Sequence, residues 1–243
     1  MNYLCPLSQL PYQLKRSTRR RSLALQVKQG ELWVLAPVGL PQLSIEQFIC
    51  EKQHWVRQHL ALSQPKPAPQ YLAERRLPWL DTQLQLNTVL DSHNAVSLQG
   101  QQLWVQLSRR VKPANRANWQ QQLVMQWYQQ QAQQWFASRV LYWQTLMQVQ
   151  ATSVSIGDWQ RKWGLCTSKG EVSFNWRLLL APLWVADYVV VHELAHLRYL
   201  NHSAQFWQLV AQFYPDYPRV KQWLRAHQHQ LVLLAATAQD LEL

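Results

Sequence analysis

Apolar residues recur along this chain in two rhythms, and each predicts its own kind of element. Between residues 12 and 38 they alternate in patches, Leu23, Leu25 and Val27 and then Leu32 and Val34. Side chains two apart share one face of a strand, so this alternation predicts a β-hairpin with its turn at Gln29-Gly30. Ser44 can cap a helix, and Ile45, Phe48, Ile49, Trp55 and Val56 follow at helical spacing, which predicts a helix to about Leu62. The run S-Q-P-K-P-A-P-Q at 63–70 interrupts both rhythms and reads as an extended linker. Two or three short strands are expected between Tyr71 and Leu107, parted by D-S-H-N at 91–94 and Gln99-Gly100. From Arg116 to about Val149 the period returns to helical, with Trp119, Leu123, Trp127, Trp135, Val140, Trp143 and Leu146 on the apolar side and glutamines on the solvated one.

The last third changes character. Val154-Ser155-Ile156 reads as a short strand. Residues 163–167 and 171–178 flank Ser168-Lys169-Gly170, a hairpin loop with glycine where a positive φ is wanted. In the second arm Val172, Phe174, Trp176 and Leu178 face one way, and Ser173, Asn175 and Arg177 the other. Pro182 suits the first turn of a helix. That helix carries D-Y-V-V-V-H-E-L-A-H over 187–196 and is apolar on nearly every face, which marks a buried helix. Asn201 is expected to turn the chain in the left-handed conformation. Ser203 then caps a helix from about Ala204 with Phe206, Trp207, Val210 and Phe213 on one face. It ends before Pro215-Asp216-Tyr217-Pro218. Trp223 and Leu224 are expected to pack back onto the core, and the tail past Leu231 to be loosely held. The chain thus divides into a hairpin and helix over 1–62, a linker over 63–70, short strands over 71–111, a mixed helix-and-strand core over 112–230 and a tail over 231–243.

The buried helix is where the chemistry concentrates. His192 and His196 are four apart, so they sit one above the other on one helix face and can grip one metal ion. Glu193 between them can reach a water on that ion, the arrangement of a metalloprotease. Unpaired polar groups in such a helix cost several kcal/mol, on the order of 2–7 for each group, and zinc removes the need. His202 follows six residues after His196, the spacing at which several zinc-protease families return a third ligand. Those families usually carry glycine at the turn, where this chain has Tyr199. Three histidines leave a fourth position open, so the expectation is one catalytic zinc per chain, with Glu193 as general base. His54 and His59 are five apart with no carboxylate beside them and are taken as surface or core residues.

Composition narrows the setting. At 243 residues with 48% hydrophobic content and 14 Trp, the chain is globular. Its net charge of +11 is uneven: residues 1–121 hold 15 Lys/Arg against 6 Asp/Glu, residues 122–243 only 9 against 7. The cluster Lys15, Arg16, Arg19, Arg20 and Arg21 offers two readings, a nucleic-acid footprint through Arg16, Arg19, Arg20 and Arg21, or ordinary surface charge. Three widely spaced cysteines suggest reduced thiols and a cytoplasmic protein. The opening M-N-Y-L-C-P-L lacks the n- and h-regions of a signal peptide. The longest apolar run, residues 178–186, contains Pro182 and is far short of a membrane span, so no membrane partner is expected.

Longer runs carry a resemblance. R-S-T-R-R-R-S at 16–22, K-W-G-L-C at 162–166, F-N-W-R-L at 174–178, A-P-L-W-V-A-D-Y-V-V-V-H-E-L-A-H from 181, N-H-S-A-Q-F-W from 201 and P-D-Y at 215–217 resemble the YgjP-like zinc metallopeptidases, relatives of the SprT-type proteases. The resemblance spans about Tyr12 to Leu224. It implies an α+β fold with a zincin-like metallopeptidase core behind a β-rich N-terminal region, zinc on His192, His196 and His202, Glu193 as catalytic base, and peptide or protein substrates. The family usually has Arg where this chain has Lys162, and Ser where it has Leu165. In zincin proteases an edge strand beside the site helix binds extended substrate, which here points to the strand 171–178 with Asn175 and Arg177 bordering the cleft. Arg177, Tyr217 and Asn201 are the candidates for a second electrophilic donor. Two other classes stay open: a nucleic-acid-associated metalloprotein, including a protease acting on DNA-bound proteins, and a non-proteolytic metal-binding scaffold.

Overall fold

The computed structural model describes residues 2–28, 30–62, 69–160 and 162–233. The chain divides into two compact units, Met1–Pro67 and Ala68–Leu243. Residues 63–68 of the expected linker and Gln29 of the expected turn lie outside the described residues.

In the first unit, β3 (Ala24–Lys28) and β4 (Glu31–Pro37) form the hairpin that the alternation predicts, with Gly30 at φ 79° beside its turn. Two further strands complete the sheet: β1 (Asn2–Leu4) and β2 (Pro11–Ser17), in the order β1-β2-β4-β3, with β2 parallel to β4. Leu32, Val34 and Ala36 turn one face of β4 into a core shared with Ile45, Ile49 and Val56. Those last three belong to two helices, α1 (Gln42–Glu51) and α2 (Gln53–Leu62), where one was expected. The break falls at Lys52 (φ −97°, ψ 9°). It spares the backbone: Lys52 N–H still donates to Phe48 O and Val56 N–H to Lys52 O, so the bend leaves no orphaned group there. Pro41, not Ser44, occupies the N-cap position.

The second unit opens on the same wiring. β5 (Arg76–Trp79), β6 (Thr82–Asp91), β7 (Ala95–Gln99) and β8 (Gln102–Ser108) lie in the order β5-β6-β8-β7, with β6 parallel to β8 and antiparallel pairs outside. E-L-W-V at 31–34 and Q-L-W-V at 102–105 begin equivalent strands with the same alternation of buried and half-buried positions. Gly100 (φ 60°) stands where Gly30 stands in the first hairpin. One arrangement of four strands followed by helix therefore occurs twice.

Helix α3 (Arg116–Met147) buries Val124, Trp127, Tyr128, Phe136 and Val140 along one side. It ends at Gln148 in the left-handed region. A third sheet follows, β9 (Ser153–Gly157), β10 (Gly164–Cys166) and β11 (Glu171–Asn175), ordered β10-β11-β9. Gly170 (φ 81°) closes the β10–β11 hairpin as expected. The second arm is shorter than the alternation predicts: β11 stops at Asn175 and the chain tightens into a 3-10 segment, Trp176–Leu180. It is also the central strand, parallel to β9, so the edge nearest the site helix is β10 and not 171–178. Helices α4 (Leu183–Ala195), α5 (Ala204–Phe213) and α6 (Tyr217–His227) complete the fold, an α+β architecture with a β-rich N-terminal region. Trp223 and Leu224 pack on the core as expected. Leu231 and Leu233 are buried in it too, so the chain is held further than the sequence suggests; residues 234–243 lie outside the described ones. Among the described residues no helix is long and apolar enough to cross a membrane.

Candidate metal centre

Helix α4 is buried on every side, from Val185 through Val191 to Ala195. It is pinned to α3 by Asp187, which accepts from Arg139 Nε at 2.6 Å, Arg139 Nη2 at 2.7 Å and Trp143 Nε1 at 3.3 Å. One turn on, the His192 and His196 rings stand with centroids 5.1 Å apart. Beyond Ala195 the helix tightens: His196, Leu197 and Arg198 donate to the carbonyls three residues back. Asn201 does not take the left-handed conformation expected of it; the described non-glycine residues that do are Gln9, Arg75, Leu80 and Gln148. Ser203 caps α5 as predicted, its Oγ accepting from Phe206 N–H at 3.3 Å. This short return brings His202 back, with its Nε2 3.1 Å from His192 Nε2. Ligand-capable atoms of His192, His196 and His202 then all lie within 4.8 Å of one another.

The donors suit a metal. His196 Nδ1 lies 3.0 Å from Tyr199 O, a group that only accepts, so Nδ1 carries the hydrogen and Nε2 keeps its lone pair for an ion. His192 Nδ1 meets the Tyr188 hydroxyl at 3.3 Å, a contact that holds the ring in place and in which either partner can donate. Burial, helped by the neighbouring His196 and His202, pushes His192 down to about 3, and burial also lowers His196. These two imidazoles are thus held neutral, the form that ligates. Phe206 closes the cluster from α5, its ring 4.5 Å from that of His196.

Glu193 is 6% exposed, and burial pushes its carboxyl up to about 8. A carboxyl raised on folding keeps its proton in the folded chain at pH values where the unfolded chain has lost it. Its contribution therefore falls as pH rises from 4.5 towards about 8. His192 acts with the opposite sign: stability is lost as pH falls below 6.5 towards about 3, because only the unfolded chain takes up the proton. For metal-free protein, Glu193→Gln should flatten the loss on the alkaline side alone, read as unfolding midpoints in chelator between about pH 5 and about pH 9. An unchanged alkaline slope would mean that the carboxyl is hydrated.

The remaining candidates separate. Asn175 is fully buried: its Nδ2 donates to Trp159 O at 2.7 Å and Lys162 O at 2.9 Å, and its Oδ1 accepts from Arg177 N–H. It ties down the carbonyls of Trp159 and Lys162 and does not border a cleft. Arg177 is paired with Asp158 and lies over the Trp176 ring. Tyr217 heads α6 and stacks on Trp207 at 5.1 Å, which stacks in turn on His202 at 5.5 Å. Asn201 is exposed on the turn before His202. In the first unit Arg16 is spent: its Nη1 donates to the carbonyls of Pro37, Val38 and Leu40. Arg19 and Arg21 are exposed on the β2–β3 connection and Arg20 is half-buried there. Burial and the nearby Glu193 push the Cys166 thiol up to about 11, so it is inert at neutral pH.

Sequence reasoning missed Tyr188, and it read Lys162-Trp163-Gly164 as a packing element and tight turn without the partner of Gly164. Tyr188 is four residues before His192 on the same helix face, a signal that was available. Gly164 sits against Glu193 from β10, a contact no local pattern encodes.

No curated protein and no solved structure matches the chain. Residues 21–227 match the family described as YgjP-like, metallopeptidase domain, a stretch that takes in the whole three-histidine cluster. A half-buried histidine pair one helical turn apart, a third histidine returned by the following turn and a match over most of the length lead to one conclusion: the chain belongs to the YgjP-like metallopeptidase family.

Proposed function

We propose that the protein is a zinc-dependent peptidase, binding one zinc per chain through His192, His196 and His202 and hydrolysing peptide bonds with Glu193 as general base. The observation that carries this reading is the convergence of three imidazoles, those of His192 and His196 held neutral by burial, beside a buried carboxyl. Imidazole ligands suit zinc, and three of them leave room for a fourth partner. Zinc in such a site supplies an acidified water and polarises a carbonyl oxygen.

The chain's own groups do the rest. Glu193 takes the proton from the attacking water and returns it to the leaving amine, a role suited to a carboxyl whose surroundings raise it towards neutrality. The Tyr188 hydroxyl and the Tyr199 carbonyl keep the two helical imidazoles aimed inward. Among the described residues strand β10 has a sheet partner on one side only, and its other edge can take an extended peptide by main-chain hydrogen bonds. Tyr217 is the best placed of the three electrophile candidates, through its stack on Trp207. A purely structural zinc would close its fourth position with Cys or His, and the buried Glu193 has no use in such a site. A nucleic-acid contact by the first unit would have to use Arg19, Arg20 and Arg21, since Arg16 is engaged.

The test joins metal analysis to hydrolysis. Purified protein should carry about one zinc per chain. Hydrolysis of an unfolded protein substrate should stop with chelator and return with zinc. His202→Ala should weaken zinc binding by more than the ~10–100-fold typical of losing a mere outer partner. Full zinc affinity in that variant would remove His202 from the site, and hydrolysis indifferent to chelator would end the zinc-peptidase reading.

A further inference from the structure

Strand β10 begins at Gly164, and both flanks of that residue are fixed. Gly164 pairs with Phe174 across the antiparallel β10–β11 ladder. Just before it, Trp163 O accepts from Asn175 N–H at 2.9 Å, and Lys162 O accepts from the Asn175 side chain at 2.9 Å. The glycines with positive φ are Gly30, Gly100 and Gly170, so Gly164 is not there for a left-handed backbone. What excludes a side chain is Glu193. A Cβ on Gly164 would lie 2.5 Å from Glu193 Oε1, 2.6 Å from its Cγ and 2.7 Å from its Cδ. These are overlaps with three atoms along the side chain, so turning the terminal carboxyl cannot clear them. Clearing the Cγ overlap requires a change at χ1, since χ2 turns only the atoms beyond Cγ, and each alternative rotamer carries the carboxyl to another place. The strand cannot retreat instead, because Asn175 ties it down from behind.

We propose that Gly164 is a positioning residue for Glu193: the bare α-carbon at the head of the edge strand is the wall against which the carboxyl rests. Asn175 holds that wall in place. The catalytic consequence rests on the zinc-peptidase reading above, whereas the contact itself does not.

The test is a double-mutant cycle with two readouts, on Gly164→Ala, Glu193→Ala and the pair. In chelator, Gly164→Ala should lower the unfolding midpoint when Glu193 is present and leave it near its starting value when Glu193→Ala has removed all three clashing atoms. Should Gly164→Ala alone fail to fold, the double variant should still fold. With zinc restored and its content equal to wild type, Gly164→Ala should lose kcat by about tenfold or more while KM stays close to wild type, because a displaced base is missed only in the transition state. A glycine needed only for its backbone would give the same midpoint loss in both backgrounds, and that result overturns the proposal, as does a Gly164→Ala enzyme with wild-type kcat. Wild-type protein that hydrolyses nothing would count against the peptidase reading, while the midpoint cycle would still decide the contact.

Discussion

Glu193→Gln should leave the zinc bound and stop the hydrolysis. Glutamine keeps the volume of the side chain and its reach along α4, so the seat against Gly164 stays filled and His192 and His196 keep their places. What is lost is a group that can accept a proton. General-base catalysis is worth typically ~10²–10⁴-fold, and a loss of that size is the expected outcome at matched zinc occupancy. Stability should not fall with it. The native carboxyl is 6% exposed and raised by burial, so a neutral amide of the same shape is no worse a tenant of that space. The decisive comparison is turnover of one unfolded protein substrate by both proteins, with zinc per chain measured on the same samples. Equal turnover would sink the assigned role of Glu193.

How much of this was legible in the sequence depends on how far apart the partners lie along the chain. The helix α3, the capped start of α5 and the histidine pair of α4 rest on neighbours within a turn or two, and their spacing alone predicts them. His202 was within reach because its return is only a few residues long. The third sheet was not. β11 is central because it pairs in parallel with β9, Val172 opposite Val154 and Phe174 opposite Ile156, and alternation reports which face a residue takes but not which strand lies beside it. Asn175 shows the consequence. Lying opposite Phe174 in the alternation, it reads as cleft-facing, yet it is fully buried and its amide is taken by the carbonyls of Trp159 and Lys162. Arg16 shows the same limit for charge: in a run of arginines it reads as one more surface cation, and only the fold reveals three carbonyls around it. The repeated four-strand arrangement was hidden for a related reason. Its inner pairs, β2 with β4 and β6 with β8, are parallel and separated by a hairpin arm, so each hairpin is legible and the pairing that makes the two sheets alike is not.

The site helix depends on one long-range contact that the sequence did not disclose, and breaking it should cost the fold about 3 kcal/mol, the low end of the range for a broken buried pair. Arg139 on α3 grips Asp187 on α4 with two nitrogens, at 2.6 and 2.7 Å, and Trp143 adds a third hydrogen at 3.3 Å. The Asp187 side chain is 10% exposed and that of Arg139 27%, so water screens the pair from the arginine side and the full cost of an isolated buried charge is not expected. Arg139→Met keeps most of the stem but leaves the carboxylate with the indole N–H as its one remaining donor among these three. Removing both charges, as Arg139→Met with Asp187→Leu, should recover most of the loss, since apolar replacement of a buried pair is often neutral. Urea unfolding of zinc-loaded protein measures both, as a shift of the midpoint at constant m. The single variant should also bind zinc less tightly, because Asp187 sits five residues before His192 on the same helix and sets where that helix lies against α3. A single variant within about 0.5 kcal/mol of wild type would mean that the pair behaves as surface charge, and that packing of Val189, Val190 and Val191 alone positions the histidines.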